Sequence, residues 1–308
     1  MNESPHHEHD HAVVSNESDM RLVLVALALI ATFLLVEFVT AIVANSLALY
    51  ADAGHMLTDV AALALSAWAI HLASKPSTIK WTFGLKRAEI LAALANGVTL
   101  GAIALFICYQ AVRRLLSPEH TAGTPLLVIA IIGALVNLAA AWTLARANQN
   151  SLNVRAVTAH ILTDLYAFIG TAIAGVLIIV AHWPRADAVA SLFVALLMIK
   201  SAWSLLRDAG KILLEAAPDA LILDDVRHHL LDVPHVLDVH DLHAWTVTSG
   251  LISLSAHVVI EDHCFSSGHA PQVLDSLQAC LTSHFDVEHA TFQLEPPAHL
   301  THEDGLHP

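Results

Sequence analysis

The stretch Ala51–Val60 reads ADAGHMLTDV and holds His55 and Asp59. It lies inside a long apolar run and has an echo at Ala159–Leu165, AHILTDL, which holds His160 and Asp164. Each is a His-x-x-x-Asp pair. In a helix that spacing is about one turn, so imidazole and carboxylate stand side by side on one face. Two imidazoles and two carboxylates form a complete ligand set for a tetrahedral divalent ion, zinc above all. Ionisable side chains deep in an apolar span are costly to hold there, and they mark ion pathways. A single pair of this kind is ordinarily surface chemistry, or a polar contact between helices. Its repetition, with the same residues in the same order, points to an ion site.

Composition agrees with a membrane setting. The chain has 308 residues, 56% hydrophobic and 14% charged, with a mean hydropathy of +0.61. These values describe a polytopic α-helical membrane protein with room for a modest soluble domain. A net charge of −14 argues against nucleic acid as a partner. Histidines number 22 against 14 Lys and Arg together, an excess suited to handling metal or protons. Cys108, Cys264 and Cys280 form neither a Cys-x-x-Cys motif nor a disulfide framework. The first 20 residues are polar and acidic, with no cleavable signal peptide visible.

Residues 1–20 read as a disordered tail carrying His6, His7, His9 and His11. Six apolar segments follow, each near the roughly 20 residues that cross a bilayer: Leu22–Val43, Ser46–Ala73, Ala88–Leu116, Pro125–Ala147, Val154–Ala181 and Ala186–Leu206. Basic residues gather on one side, at Arg21, Lys75, Lys80, Lys86, Arg87, Arg146, Arg155, Arg207 and Lys211. Arg113, Arg114 and Arg185 fall on the other side. The bias makes both termini cytoplasmic, in a cell inner (plasma) membrane. His55 then lies about nine residues from the outer end of its span and His160 about six from the inner end of its own, similar depths at ~1.5 Å per residue. Asp52 shares the face of His55 and Asp59, as an entry carboxylate or as a cap near the helix start. Glu37, Asn45 and Asp187 are further polar residues in or beside spans, and Gly133, Gly170 and Gly175 suit close helix packing.

After Leu214 the pattern changes. Asp224–Asp232 reads as a helix, and Val236–Val247 and Leu251–Glu261 as strands joined by a turn. His269–Phe285 reads as an amphipathic helix and Ala290–Glu295 as a last strand. The order αββαβ is a small α+β domain with its sheet covered on one face. Its histidines concentrate at strand ends and turns, at His235, His240, His243, His257, His263, His269, His284 and His289, and as a set they suggest metal binding. The chain lacks His-Glu-x-x-His, and four protein ligands leave no open position for a hydrolytic water, so it does not read as an enzyme.

The segments SLALYADAGHMLTDVAALAL, TFGLKRAEILAAL, SLNVRAVTAHILTD, DLHAWTVTSGLISLSAHVV and HATFQLEP resemble the cation diffusion facilitator family, in its zinc-exporting bacterial branch. The resemblance runs from about Arg21 to Pro297. It implies an efflux domain of six transmembrane helices over 21–214 and a cytoplasmic metal-binding, dimerisation domain of metallochaperone (ferredoxin-like) type over 215–297. Residues 298–308 are left as a disordered tail. It implies a homodimer in the lipid bilayer that exports zinc by proton antiport, with cadmium, cobalt and nickel as minor substrates. No cofactor is implied; zinc is substrate and also a structural or regulatory ion. The transport site falls on His55, Asp59, His160 and Asp164. The cytoplasmic site falls on His240 and His257, with His289 as third ligand and Glu288 as the alternative. An ion pair seen between subunits in the family falls on Arg87 and Glu215. Where some relatives carry histidines between spans two and three, this chain has Trp81, Leu85 and Lys86, so no metal is expected there.

Overall fold

The structure is a computed structural model and describes residues 17–144, 152–248, 250–287 and 289–302. Six long helices come first: α1 (Glu17–Ala44), α2 (Leu47–Ala73), α3 (Ala88–Leu116), α4 (Gly123–Leu144), α5 (Leu152–Ala181) and α6 (Ala186–Leu213). Then come α7 (Leu223–Leu231), β1 (Val236–Thr248), β2 (Leu251–Ile260), the short α8 (Asp262–Ser266), α9 (Ala270–Phe285), β3 (His289–Glu295) and a 3₁₀ turn at Pro297–His302. The expected elements are present together with the unexpected short α8, and the ends of several of them differ. Helix α1 begins at Glu17, inside the expected tail. Helix α6 runs past the apolar run to Leu213 through Arg207 and Lys211, cations that favour a helix C-terminus. Pro297–His302 is ordered as a turn, closed by the His299 amide donating to the Pro296 carbonyl at 2.9 Å. The histidines of the N-terminal tail and residues 303–308 lie outside the described residues.

The chain divides into two compact units, one of Met1–Leu63 with Asn96–Trp203, the other of Ala64–Ala95 with Ser204–Pro308. In the first, α4 packs along both α1 and α5. Phe33 and Phe168 meet edge to face at 5.5 Å within a core that includes Leu49, Met56, Leu126 and Ile129. The outer faces are equally apolar: Leu35, Leu105, Phe106, Leu135, Ile173 and Leu196 are all exposed. Helices apolar inside and out belong in lipid. Among the described residues Ala88–Leu116, Asp164–Ala181 and Ala186–Leu213 are long and apolar enough to cross a membrane, and Ala31–Ala44 and Gly123–Ala139 are shorter apolar stretches.

The start of α2 is held by another helix. The buried Asp187 of α6 accepts hydrogen bonds from Ser46 Oγ at 2.6 Å, the Leu47 amide at 2.8 Å and the Ala48 amide at 3.3 Å. Ser46 Oγ in turn accepts from the Leu49 amide at 3.2 Å, as an N-cap does. Arg114 lies 3.4 Å from Asp187 and 3.0 Å from Glu119, and donates to the Asn45 carbonyl at 2.8 Å. First-turn amides that a helix leaves unpaired are thus satisfied by a carboxylate from α6.

In the second unit β1 pairs antiparallel with β2, and β2 pairs parallel with β3. A parallel neighbour requires a crossover, which α8 and α9 provide. Along β2, Leu254, Ala256, Val258 and Ile260 point to a core closed by Val226 and Leu230 of α7 and Val273, Leu277 and Leu281 of α9. The alternate residues, among them His257, point to the other face.

Glycine sets the approach of α4 to α5. A Cβ on Gly133 would stand 2.4 Å from the buried Phe168 ring, and one on Gly175 would stand 3.0 Å from the Leu127 backbone. On Gly170 it would meet only Phe193, at an ordinary 3.7 Å. Gly133→Ala and Gly175→Ala are therefore expected to destabilise the unit by about 1–3 kcal/mol, while Gly170→Ala is tolerated. Thermal unfolding of the three variants in one detergent reads the difference; equal midpoints would refute this account of the packing.

Candidate metal sites

His55 and Asp59 are successive turns of α2, and Asp164 comes from α5. His55 Nδ1 stands 3.8 Å from Asp59 Oδ2, and its Nε2 stands 3.5 Å from Asp164 Oδ1. One imidazole therefore lies between carboxylates from two helices. His55 and Asp164 are largely enclosed, while Asp59 keeps 30% of its side chain exposed and gives the group one open side. His160 lies in α5 one turn before Asp164; its side chain is outside the described residues. Helical spacing and burial together make the group a ligand set for a cation that prefers nitrogen and oxygen.

A second acidic pair stands beside this group. Asp52 is five residues inside α2 and buried, so Asp187, and not Asp52, caps the helix. Its carboxyl faces that of Glu37 on α1, also buried. None of the four carboxylate oxygens has a hydrogen-bond donor within reach. Glu37 was legible only as a lone acid in an apolar helix, because its partner lies on a different helix.

In the second unit β-sheet register builds a different cluster. His240 on β1 lies directly opposite His257 on β2, their rings 5.3 Å apart and steeply inclined. Residues directly opposed on neighbouring strands project to the same face. Val259 pairs with Glu295, two residues from the His257–Gln293 pair, so Glu295 shares that face. The Glu295 carboxylate, buried, is 3.0 Å from His257 Nδ1 and 3.7 Å from His240 Nε2, and it accepts from Gln293 Nε2 at 2.6 Å. Asp241, turned out at a bulge with φ 49°, reaches 3.8 Å from His257 and 2.7 Å from His243. Two imidazoles and a carboxylate within one ligand sphere fit a zinc-type ion.

His289 is not brought to this cluster. It opens β3 opposite Ser253, and its ring meets Phe83 edge to face at 5.6 Å. Glu295, at the other end of the same strand, supplies the third donor. The alternative, Glu288, lies outside the described residues. In the same unit Arg87 and Glu215 form their ion pair within one chain, at 2.8 Å on the surface. They border a cavity of about 890 Å³ lined also by Trp81, Phe83, His243 and Trp245, which contains none of the clustered ligands.

The cation efflux transmembrane domain family matches residues 23–214, with the match covering both His-x-x-x-Asp pairs. This chain belongs to the cation efflux family. The cytoplasmic domain of cation efflux proteins matches residues 218–297, the part that carries the sheet cluster. The cation efflux protein is similar to the cadmium, cobalt and zinc/H(+)-K(+) antiporter of Bacillus velezensis, 37% identical over 95% of this chain and 93% of that protein. It is similar to the zinc transporter ZitB of Escherichia coli K12, 37% identical over 95% of this chain and 93% of that one. Among solved structures it matches the metal-bound C-terminal domain of the CzcD transporter from Cupriavidus metallidurans, 37% identical over 24% of this chain and 99% of that domain, with a TM-score of 0.23. The protein is thus a membrane protein of a metal cation efflux family, with a helical domain followed by a small cytoplasmic domain.

The geometry separates Glu295 from His289 as third ligand of the sheet cluster. In a full-length background carrying Asp164→Ala, Glu295→Gln is expected to weaken zinc binding about 10- to 100-fold and His289→Ala to leave it unchanged. Equilibrium dialysis with radioactive zinc reads both; the reverse order would make His289 the ligand.

Proposed function

We propose that this cation efflux protein exports zinc from the cytoplasm by exchange with protons, through a site formed by His55, Asp59, His160 and Asp164. The carrying observation is His55 standing between Asp59 of its own helix and Asp164 of α5. Imidazole nitrogen favours zinc over harder ions, with cadmium, cobalt and nickel as secondary cargo. The names of the relatives, a zinc transporter and a cadmium, cobalt and zinc antiporter, support the same cargo class.

Proton exchange follows from ligand chemistry. Neutral imidazole binds zinc and imidazolium does not, so a proton arriving at the site competes with the ion directly. Rocking of helices around a fixed midplane site would expose it to each side in turn. Glu37 and Asp52, buried carboxyls without hydrogen-bond donors in the helices that carry or flank the site, are suited to pass protons to that exchange. The protein works as a homodimer, with all six long helices crossing the plasma membrane and both termini cytoplasmic. Arg114 is neutralised by Asp187 and Glu119, which removes one of the three basic residues that argue against this orientation. Zinc at His240, His257 and Glu295 is a structural or regulatory ion outside the transport path.

Proteoliposomes carrying a zinc dye and a pH dye test the reading. Asp59→Ala and Asp164→Ala are expected to abolish zinc flux at equal protein level. Wild-type zinc flux is expected with opposite proton flux and to respond to an imposed pH difference. Zinc movement at full rate without proton counterflow would make the protein an uncoupled carrier. Zinc binding in detergent is expected to weaken steeply between about pH 7.5 and 5.5, the window around the ordinary histidine pKa near 6.5. A binding constant independent of pH across that window would remove imidazole protonation from the mechanism.

A further inference from the structure

A third group of metal-type donors lies at the end of the sheet, and it shares no residue with either site described above. It is assembled where the entry to β1, the exit of β2 and the start of α9 meet. His235 immediately precedes β1, and its carbonyl accepts from the Glu261 amide at 3.1 Å. Its backbone is left-handed, φ 73°, a conformation that a side chain with a Cβ adopts at a cost. That turn sets its imidazole against two others. The rings of His235 and His263 are 5.1 Å apart, and those of His235 and His269 are 5.2 Å apart, both pairs nearly perpendicular. Gly268, at φ 74°, turns the chain back so that the His269 amide donates to the Cys264 carbonyl at 2.9 Å.

The polar contacts are arranged as ligands and their support. A single carboxylate oxygen, Glu261 Oε2, lies 3.2 Å from His235 Nδ1 and 2.9 Å from His263 Nδ1. A carboxylate accepts only, so these contacts place a hydrogen on each Nδ1 and leave each Nε2 with its lone pair. His263 Nε2 stands 3.9 Å from the sulfur of Cys264. Two donors of a zinc tetrahedron, with Zn–S about 2.3 Å and Zn–N about 2.0 Å, are separated by about 3.5 Å. One ligand atom from each of His235, His263 and Cys264 lies within 4.8 Å of the others. Cys264 is fully buried, while His263 is exposed.

We propose that His235, His263 and Cys264 bind a soft or borderline divalent ion, zinc or cadmium, with Glu261 orienting the two imidazoles. Thiolate with imidazole is the donor set for such ions and a poor one for magnesium or calcium. Binding releases the Cys264 thiol proton to water and replaces it with the metal bond. The ion ties the start of β1 to the α8–α9 connection, so it is a staple of the cytoplasmic domain and stands independently of the transport reading.

Cobalt(II) titration of the full-length protein tests this, because a thiolate ligand gives a sulfur-to-cobalt charge-transfer band that His and carboxylate sites do not. The band is expected in wild type and in Asp164→Ala, to vanish in Cys264→Ser, to survive in Cys280→Ser and Cys108→Ser, and to lose intensity in His263→Asn. Since Cys264 is in the core, the exposed His263→Asn decides should Cys264→Ser fail to fold by circular dichroism. A wild type without the band, a band that persists in folded Cys264→Ser, or one unaltered in His263→Asn overturns the proposal.

Discussion

Two carboxylates set against one imidazole, within helices that otherwise present apolar side chains, impose the strictest condition on the helical unit. Each of these groups is expensive to remove from water, and the expense is offset only while they face one another or share a cation. Successive helix residues are about 100° apart around the axis, so slipping α2 by one residue would turn His55 away from Asp164. The position of α2 must therefore be fixed as well as its packing. Asp187 does this from α6 by accepting from Ser46, Leu47 and Ala48, and Arg114 balances its charge. Gly133 of α4 and Gly175 of α5 serve the same end, by letting the two helices lie close together. A polar anchor at one helix start and a close apolar seam thus determine whether a histidine on one helix meets an aspartate on another.

Much of this was legible from residue types alone, and the reason is periodicity. Helix α3 has the residues its apolar run delimits, Ala88–Leu116, and β1 and β2 fall within a residue of the alternating runs. The two His-x-x-x-Asp pairs stood out because an ionisable residue in an apolar span is a strong departure from its surroundings. Features that depend on register or on packing between distant segments were not legible. Glu295 joins His240 and His257 only because β3 runs parallel to β2 with Val259 opposite Glu295, and nothing local fixes that offset. His289 shares a strand and a face with it but begins the strand near Phe83. Helix α8, five residues long, is too short to show a period, so the meeting of His235 with His263 could not be anticipated from spacing.

The small sheet shows how one strand serves two chemistries. In β2 the residues at 254, 256, 258 and 260 are apolar and seal the core under α7 and α9, while His257 between them carries the polar face. Strand geometry separates the two uses without a change of backbone, since alternate side chains point opposite ways. The same rigidity that serves the core fixes His240 opposite His257, so two imidazoles stand side by side with no backbone segment left to be ordered.

The donor sets of the three groups differ in a way that matches what each would have to do with its ion. A site that releases its cargo on every cycle needs ligands that protons displace in the physiological range, and imidazole titrates there. His55 with Asp59 and Asp164 offers ligands of that kind, and the group contains no sulfur. The His240–His257–Glu295 group lies on a rigid sheet and can exchange its ion, for it also lacks a thiolate. Only the group around His235 includes cysteine, the softest of these donors and the one that holds zinc or cadmium most firmly. A thiolate absent from the His55 group and present at the end of the sheet is the division that retention and release would require, since a thiolate among ligands that must release an ion would hold it.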